Sequence, residues 1–499
     1  MKRLLYLTIL LASSLFVPAQ SLTRGILYRV ESGATRSNGE SHAPFWLTSN
    51  RYGFLSTLPN SGYLRASLSR PASADSLRAW QHSYGIDLAV AYNHTSSLIV
   101  QQAYYDISWR KMQLSIGSKE RPSALKNPLL SSGGLTFGMN ARPIPQVRFE
   151  VPEYIAIPGT RGWLHVKGYL GYGLYTDNHW QKDFIARGQR YTLNALHHAK
   201  AGFLKIGDEQ RFPLYFEGAL EMATQFGGHA YNVTWGRKET VTEDFRLGNG
   251  IKDFFKAFIP LGGDPTDGEG YANASGNHLG SWHFALTYAP ANWKIRAYYE
   301  HFFEDHSMMF LDYGWQDGLA GLEITIPQNP FVHTFLYEFM NSKDQAGPVY
   351  HDHTPQIPDQ ISAVDNYYNH TLYPGWQHWG MSQGTPFILS PIYNLDGTNR
   401  IQFTHNRVQS HHIGICGTPI SGLSYRLLLS HSKHWGNYNI PLLDTREQSS
   451  GLFEVSYAPT RWAKGCQLTA AMAYDHGTVL GNNWGGMISL RKCGILSGK

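Results

Sequence analysis

Residues 293–302, WKIRAYYEHF, decide how the rest of the chain is read. Successive side chains of an extended strand point to opposite faces. Trp293, Ile295, Ala297 and Tyr299 therefore share one face, and Lys294, Arg296, Tyr298 and Glu300 share the other. The same period of two recurs in 163–176, where Leu164, Val166, Leu170, Tyr172 and Leu174 alternate with His165, Lys167 and Tyr169. It recurs again in 214–226 and 281–288, with almost no helical periodicity from Arg24 onward.

Alternation is shared by soluble sandwiches and membrane barrels, and connection lengths separate them. The links at 290–292, 327–330, 418–421 and 459–465 are short. Between them lie 303–318, 343–399, 435–450 and 476–483, longer and rich in His, Asn, Tyr and Gly. Short turns alternating with long loops are the pattern of outer-membrane barrels, with the short turns on the periplasmic side. Strands are expected at 24–33, 62–69, 84–93, 98–109, 112–118, 144–152, 163–176, 198–206 and 212–226. They continue at 281–289, 293–302, 319–326, 331–342, 400–416, 422–434, 451–458, 467–475 and 484–493. The sum is about eighteen, an even number that leaves both chain ends on the periplasmic side. The fold class expected is all-β: a transmembrane antiparallel barrel of about eighteen strands spanning 20–499, with long extracellular or lumen-filling loops at 227–280 and 343–399. Within the first loop, GIKDFFKAFIP at 250–260 places Phe254, Phe255 and Phe258 at helical spacing. A short helix is expected there, as a lid on the barrel mouth in preference to a helix lying on the membrane surface.

Composition agrees. Charged residues are 16% of the chain and aromatics 14%, with 50 Gly and 30 Tyr, so turns and strands are better supplied than a charged soluble surface. Mean hydropathy is -0.33, and after the N-terminus no apolar run is long enough for a membrane-spanning helix. A net charge of +5 without a basic tract makes nucleic acid a poor partner. Residues 1–19 read as a secretory signal: Lys2 and Arg3, an apolar run over 4–17, then small residues before Gln20. Cys416, Cys466 and Cys493 are widely spaced and form no redox or ligand motif; one disulfide among them stays open.

The candidate site is 337–386, which is too polar for a core and too aromatic for a disordered linker. Aromatic faces beside hydrogen-bonding groups suit sugar rings, which carry apolar C–H faces and a rim of hydroxyls. Tyr350, Tyr367, Tyr368, Trp376 and Trp379 are the expected stacking surfaces. His351, Asp352, Asp365, Asn369, His370 and His378 would hold hydroxyls or carboxylates, and Arg407 would meet an acidic sugar bidentately. The alternative for each is that it plugs the barrel or ties the loop to the wall. Trp282 and Trp293 are assigned to the lipid belt.

Catalysis and metal binding find little support. His351, Asp352 and His353 alternate in direction along an extended segment, and His411 and His412 do the same, so neither run presents a full ligand set to one side. No Gly-x-Ser-x-Gly elbow occurs. Glu217 and Glu221 share a strand face roughly 13 Å apart at about 3.3 Å per residue, beyond the roughly 5–9.5 Å of glycosidase pairs. They are expected to pair with lumen Lys or Arg. No metal, cofactor or enzymatic activity is expected.

Several motifs in fixed order resemble one family. They are Pro44-Phe45-Trp46-Leu47 with Asn50-Arg51-Tyr52-Gly53, then Asp317-Gly318-Leu319-Ala320-Gly321-Leu322-Glu323. Lys343-Asp344-Gln345-Ala346-Gly347-Pro348, His351-Asp352 and Asp365-Asn366-Tyr367-Tyr368-Asn369-His370 follow. Gly375-Trp376, Gly384-Thr385-Pro386 and Ala473-Tyr474-Asp475-His476-Gly477 complete the set. In this order they resemble the capsule assembly (Wzi-type) outer-membrane proteins in the form found in Bacteroides-like bacteria, over nearly all of the mature chain. The resemblance implies a monomeric barrel in outer-membrane lipid that binds capsular or exported polysaccharide, in contact with the capsule export machinery, without catalysis. Two features depart from it: no sequence for a periplasmic helical bundle is present, and the last strand, GGMISLRKCG, lacks a terminal aromatic. A solute pore and an outer-membrane hydrolase are the rival readings.

Overall fold

The structure, a computed structural model, describes residues 25–75, 79–235, 240–260, 264, 274–304, 308–309, 315–327, 329–350, 361–394 and 399–496. The expected signal segment, 1–19, lies outside them. Eighteen antiparallel strands close into one barrel. The first nine are β1 (Ile26–Ser37), β2 (Asn60–Arg70), β3 (Trp80–Tyr92), β4 (Leu98–Trp109), β5 (Met112–Ser118), β6 (Gln146–Ala156), β7 (Leu164–Leu174), β8 (Leu196–Ile206) and β9 (Leu214–Phe226). The second nine are β10 (Asn277–Tyr288), β11 (Lys294–Glu304), β12 (Gly318–Thr325), β13 (Thr334–Asn341), β14 (Val408–Ile420), β15 (Leu423–Gly436), β16 (Pro441–Tyr457), β17 (Cys466–Gly477) and β18 (Asn483–Leu496). Each pairs with its neighbours in sequence, and β1 pairs with β18 from Ile26↔Leu496 to Ser37↔Gly485, which abolishes both edges.

Every expected strand has its counterpart. The largest displacements are at β14, which begins at Val408 rather than 400, and at β16, which begins at Pro441 rather than 451. The segment before Val408 belongs to the lumen filling, and the expected long loop at 435–450 is a tight connection between extended strands. The three cysteines are free thiols.

The period of two is realised as an apolar outside and a polar inside. In β11, Ile295 is exposed while Arg296, Tyr298 and Glu300 are buried. Leu64, Val90, Phe149, Leu286, Phe453 and Ile488 are among the exposed outward residues, a continuous apolar band too large for a water-facing surface. Trp80, Trp163, Phe212, Trp293, Phe331 and Trp462 stand exposed at the short-turn rim, as an interfacial aromatic girdle does. Trp282 also points outward, and its indole N–H donates to Met309 O at 2.8 Å. The abundance of Gly and Tyr has a local cause: glycine lets a tyrosine ring lie across the neighbouring strand. A Cβ at Gly321 would lie 2.1 Å from Tyr298 Cζ.

The expected helix exists as Ile251–Phe258 (with Phe45–Thr48 and Trp180–Phe184 the other short α-helices), but it is not a lid on the mouth. It packs on the outer wall: the Phe254 ring lies 5.1 Å from that of Tyr172 and 5.1 Å from that of Phe226. Thr224 donates to Ala257 O at 3.2 Å. Tyr172, His198 and Thr224 face out of the barrel, so the helix roofs over polar wall residues that would otherwise meet lipid. Its own Ile251 and Phe255 are left exposed.

Candidate functional site

The long connections all leave from one end of the barrel, and three of them turn inward. Segments 38–59, 119–145, 366–394 and 399–407 fill the lumen around a core that includes Trp46, Leu130, Leu135, Tyr367, Tyr368, Trp376 and Phe403. Carboxylates on the inner wall hold this filling by its backbone, which suits a loop whose N–H groups would otherwise be buried without partners. Glu300 accepts from Leu135 N–H at 2.7 Å and meets Lys126 Nζ at 3.0 Å. Glu338 accepts from Ser132 N–H at 2.7 Å and from the Ser131 and Ser132 hydroxyls. Asp475 accepts from Phe45 N–H at 2.9 Å, and Glu454 from Arg51 and from Arg426.

Most of the residues expected to meet sugar lie inside this filling. Tyr367, Tyr368 and Trp376 are 1%, 0% and 0% exposed, so their faces are in contact with protein. Tyr367 donates to Asp317 Oδ2 at 3.0 Å, Trp376 donates to Thr136 O at 2.6 Å, and Tyr368 donates to Leu135 O. The packing around Tyr368 is close: a Cβ at Gly384 would lie 2.0 Å from its hydroxyl oxygen. Asn369 forms a two-way pair with Phe403, donating to its carbonyl at 2.9 Å and accepting from its N–H at 3.0 Å. His378 is buried, donating from Nδ1 to Arg142 O at 2.8 Å and accepting at Nε2 from Thr176 N–H at 3.4 Å. His370 accepts from Leu372 N–H at 3.1 Å. Trp379 is half-buried beneath the Arg142 guanidinium, 4.4 Å from its ring, and the Asp365 N–H donates to Gln345 O at 3.0 Å. Tyr350 ends the short strand Ala346–Tyr350, while His351 and Asp352 lie outside the described residues. The sequence reading of these rings as sugar platforms thus meets a packed interior, because apolar area in a closed cylinder is covered by the nearest chain before any ligand arrives.

Burial dictates the protonation of this interior. Desolvation holds His378 down at about 4, and desolvation together with the Arg142 charge holds His94 at about 3. Geometry agrees for His94: Arg142 Nη2 donates to its Nδ1 at 3.0 Å, so the ring is neutral and Nε2 donates to Phe54 O at 3.0 Å. Desolvation raises Asp317 to about 6 despite the N–H donors of Gln345 and Asp344. His411 and His412 point to opposite sides, His412 inward to Leu130 O at 2.7 Å and His411 outward beside Tyr337. Among the described residues no group of three or more His, Cys, Asp or Glu is placed to hold a metal ion. Of the paired glutamates, Glu217 faces Arg296 at 3.9 Å as expected, while Glu221 takes Tyr169 at 2.6 Å and His283 at 3.5 Å.

Arg407 is the expected residue that reaches the loop-end rim. Its backbone is clamped to β15 by Arg407 N–H to Gly436 O and Trp435 N–H to Arg407 O, both 3.0 Å. Its guanidinium lies 4.0 Å over the ring of Tyr438, which is 40% exposed. Beside it, Lys343 Nζ lies 4.8 Å from the Trp435 ring, and Arg407 Nε donates to Lys343 O at 2.9 Å. Tyr438 is braced by its hydroxyl on Asp344 O at 2.9 Å. Neither cation takes part in an ion pair among the described residues. Lys343, Trp435 and Tyr438 escaped the sequence reading as site residues because they come from a long loop, the end of β15 and the turn after it. The signal available was a basic or aromatic residue flanking each expected strand end.

No family model and no curated protein matches this chain. Among solved structures it is similar to Wzi of Escherichia coli, a carbohydrate-binding β-barrel involved in group 1 capsule assembly. That likeness has a TM-score of 0.55 at 11% identity and covers 95% of this chain and 85% of that one. The OprD and OccK10 barrels of Pseudomonas aeruginosa overlay less well. OprD has a TM-score of 0.43 at 8% identity, covering 97% of this chain and 100% of that one. OccK10 has 0.46 at 10%, covering 95% and 99%. The likeness to Wzi is one of fold: a closed barrel of the outer-membrane type.

Proposed function

We propose that this chain is a non-enzymatic outer-membrane barrel that binds an acidic polysaccharide at its loop-end rim and so holds capsular or exported polymer on the cell surface. The observation that carries the reading is the pair of un-neutralised cations, Arg407 and Lys343, lying over the rings of Tyr438 and Trp435. Cations present charge to carboxylates and aromatic rings present faces to C–H groups, and acidic sugars offer both. The apolar band and Trp girdle support a position in lipid, and the short-turn rule supports an outward-facing rim. The carbohydrate-binding character of Wzi points the same way. Shallow contacts repeated along a polymer supply avidity without a deep pocket. A lumen filled by its own loops speaks against a solute pore.

The test is binding of the host's surface polysaccharide to detergent-solubilised protein, comparing wild type with Arg407→Ala/Tyr438→Ala. Loss of one cation and one ring is expected to weaken apparent affinity about tenfold or more. Equal binding by the variant, or no binding by wild type, overturns the proposal.

A further inference from the structure

At the opposite end from this rim the lumen is not filled. A cavity of about 720 Å³ extends from the underside of the filling, at Phe137, Gly138 and Gln383, toward the short-turn ends of β5, β7, β9 and β11. That volume falls within the range of pockets that hold drug-sized ligands, so a short oligosaccharide fits.

Its lining is charged, and each of its carboxylates except Glu221 faces a Lys or Arg. Glu150 accepts from Arg148 at 2.7 Å, Glu217 faces Arg296 at 3.9 Å and Tyr154 at 2.9 Å, and Glu221 takes Tyr169 at 2.6 Å. Glu120 receives Gln101 at 2.8 Å and faces Arg65 at 3.5 Å. Lys119 pairs with Asp106 at 2.5 Å. Four cations of the lining have no carboxylate partner among the described residues: Arg121, Arg142, Lys167 and Lys294. Arg142 is taken up by Thr95 at 2.9 Å, His94 at 3.0 Å and the Trp379 ring, which leaves three. Arg121 reaches only the Ser115 hydroxyl at 3.0 Å and Lys119 O at 3.3 Å. Lys167 is held over the Tyr154 ring at 4.5 Å and the Phe203 ring at 4.8 Å, which position it without neutralising it. Four buried polar atoms of the same lining also lack a hydrogen-bond partner among the described residues: Gln146 Oε1, His197 Nδ1, Glu221 Oε2 and Arg296 Nε. Buried polar groups left open in this way mark a site for water or ligand.

We infer that this cavity is a second binding site, facing the periplasm, for an anionic oligosaccharide. The three un-neutralised cations take its carboxylates or other acidic groups, and Gln146 Oε1 and Glu221 Oε2, the latter with only His283 Nε2 at 3.5 Å, accept from its hydroxyls. A simple anion would satisfy the cations and leave those acceptors empty; a neutral sugar would do the reverse. The site is separated from the Arg407 rim by the whole lumen filling, so the two do not share residues. The glycan chemistry is common to this inference and to the proposed function, but either site stands without the other.

Calorimetric titration of the full chain in nanodiscs with a tetramer of galacturonic acid tests the inference, with maltotetraose and inorganic phosphate as comparison ligands. Wild type is expected to bind the acidic tetramer, and the other two at least tenfold more weakly. Lys167→Ala/Lys294→Ala should lose a binding component that Arg407→Ala/Tyr438→Ala retains, while both variants keep the heat-modifiable gel shift of a folded barrel. Should Lys167→Ala/Lys294→Ala fail to fold, Lys167→Met alone takes its place. Unchanged titration in the folded cavity variant overturns the inference and leaves the rim reading intact. Binding lost in the rim variant alone does the same, and equal binding of phosphate overturns the assignment to a sugar.

Discussion

Glu300 shows how one side chain couples wall to filling. It joins the Lys126 ammonium and the Leu135 N–H in a pocket where both charged side chains are at most 2% exposed. Removing the carboxylate strands a buried cation, a change that costs about 3–5 kcal/mol. Glu300→Ala is therefore expected to loosen 119–145, read as faster protease cleavage within that segment while the barrel stays folded. Cleavage at the wild-type rate would contradict this role. The buried histidines predict a pH dependence with a definite sign. His94 at about 3 and His378 at about 4 lie below the ordinary 6.5, so the packed filling binds fewer protons than the released one. Their contribution is complete above about pH 6.5 and is lost as pH falls toward 4, by up to about 2 kcal/mol each at pH 5. His370 and His405 act in the same direction. Asp317, raised to about 6, opposes them: its protonation favours the packed state below pH 6. Burial also raises Glu120, which opposes them, and lowers His42, which joins them. With the histidines in the majority, acidification from pH 7.5 to 5 is expected to release the filling, seen as bilayer conductance that appears at pH 5 and reverses at pH 7.5. Conductance independent of pH would refute this.

Among the elements, the Ile251–Phe258 helix departs furthest from its sequence reading. Its spacing revealed an amphipathic helix, and the structure sets that helix against the outer face of β7 to β9. A hydrophobic face can be covered by lumen, by wall or by lipid, and helical periodicity is the same in all three. Here Phe254 takes the wall, between Tyr172 and Phe226, and Phe255 is 67% exposed toward the surroundings. Phe255→Trp in protein whose native tryptophans provide the baseline is expected to add emission quenched by brominated acyl chains. A helix lying over the aqueous mouth would instead be quenched by iodide. The segment 366–394 carries the converse lesson. Its aromatic and polar composition matched a ligand-binding crown, and the same composition serves a polar-walled lumen, where Tyr and Trp fill space and pair their single polar atoms with backbone carbonyls.

Taken as one molecule, the chain is an edge-free cylinder with a charged inner wall, an apolar outer wall and its own loops as stopper. Wild type reconstituted in planar bilayers at pH 7.5 is accordingly expected to be nearly silent. Deleting 366–394 is expected to raise conductance to that of an open channel, since the wall's hydrogen-bond ladder does not run through this segment. A wild type conducting as well as the deletion would return the solute pore to first place. The two proposed sites, at opposite ends of a blocked lumen, also predict that ligand reaching one end does not compete with ligand at the other.

Strand number, closure parity and the two faces of the strands at 163–176, 214–226, 281–288 and 293–302 were legible in the linear chain. They follow from a period of two fixed by backbone geometry, repeated wherever a strand divides lipid from lumen. The destination of the loops was not legible. Tyr368 meets Leu135, and Arg407 meets Tyr438, through contacts between segments far apart in sequence. Such contacts depend on how much volume the closed wall leaves and which carboxylates line it. Local pattern carries no record of that volume, so the stopper, the rim pair and the empty chamber beneath emerge only once the cylinder has closed.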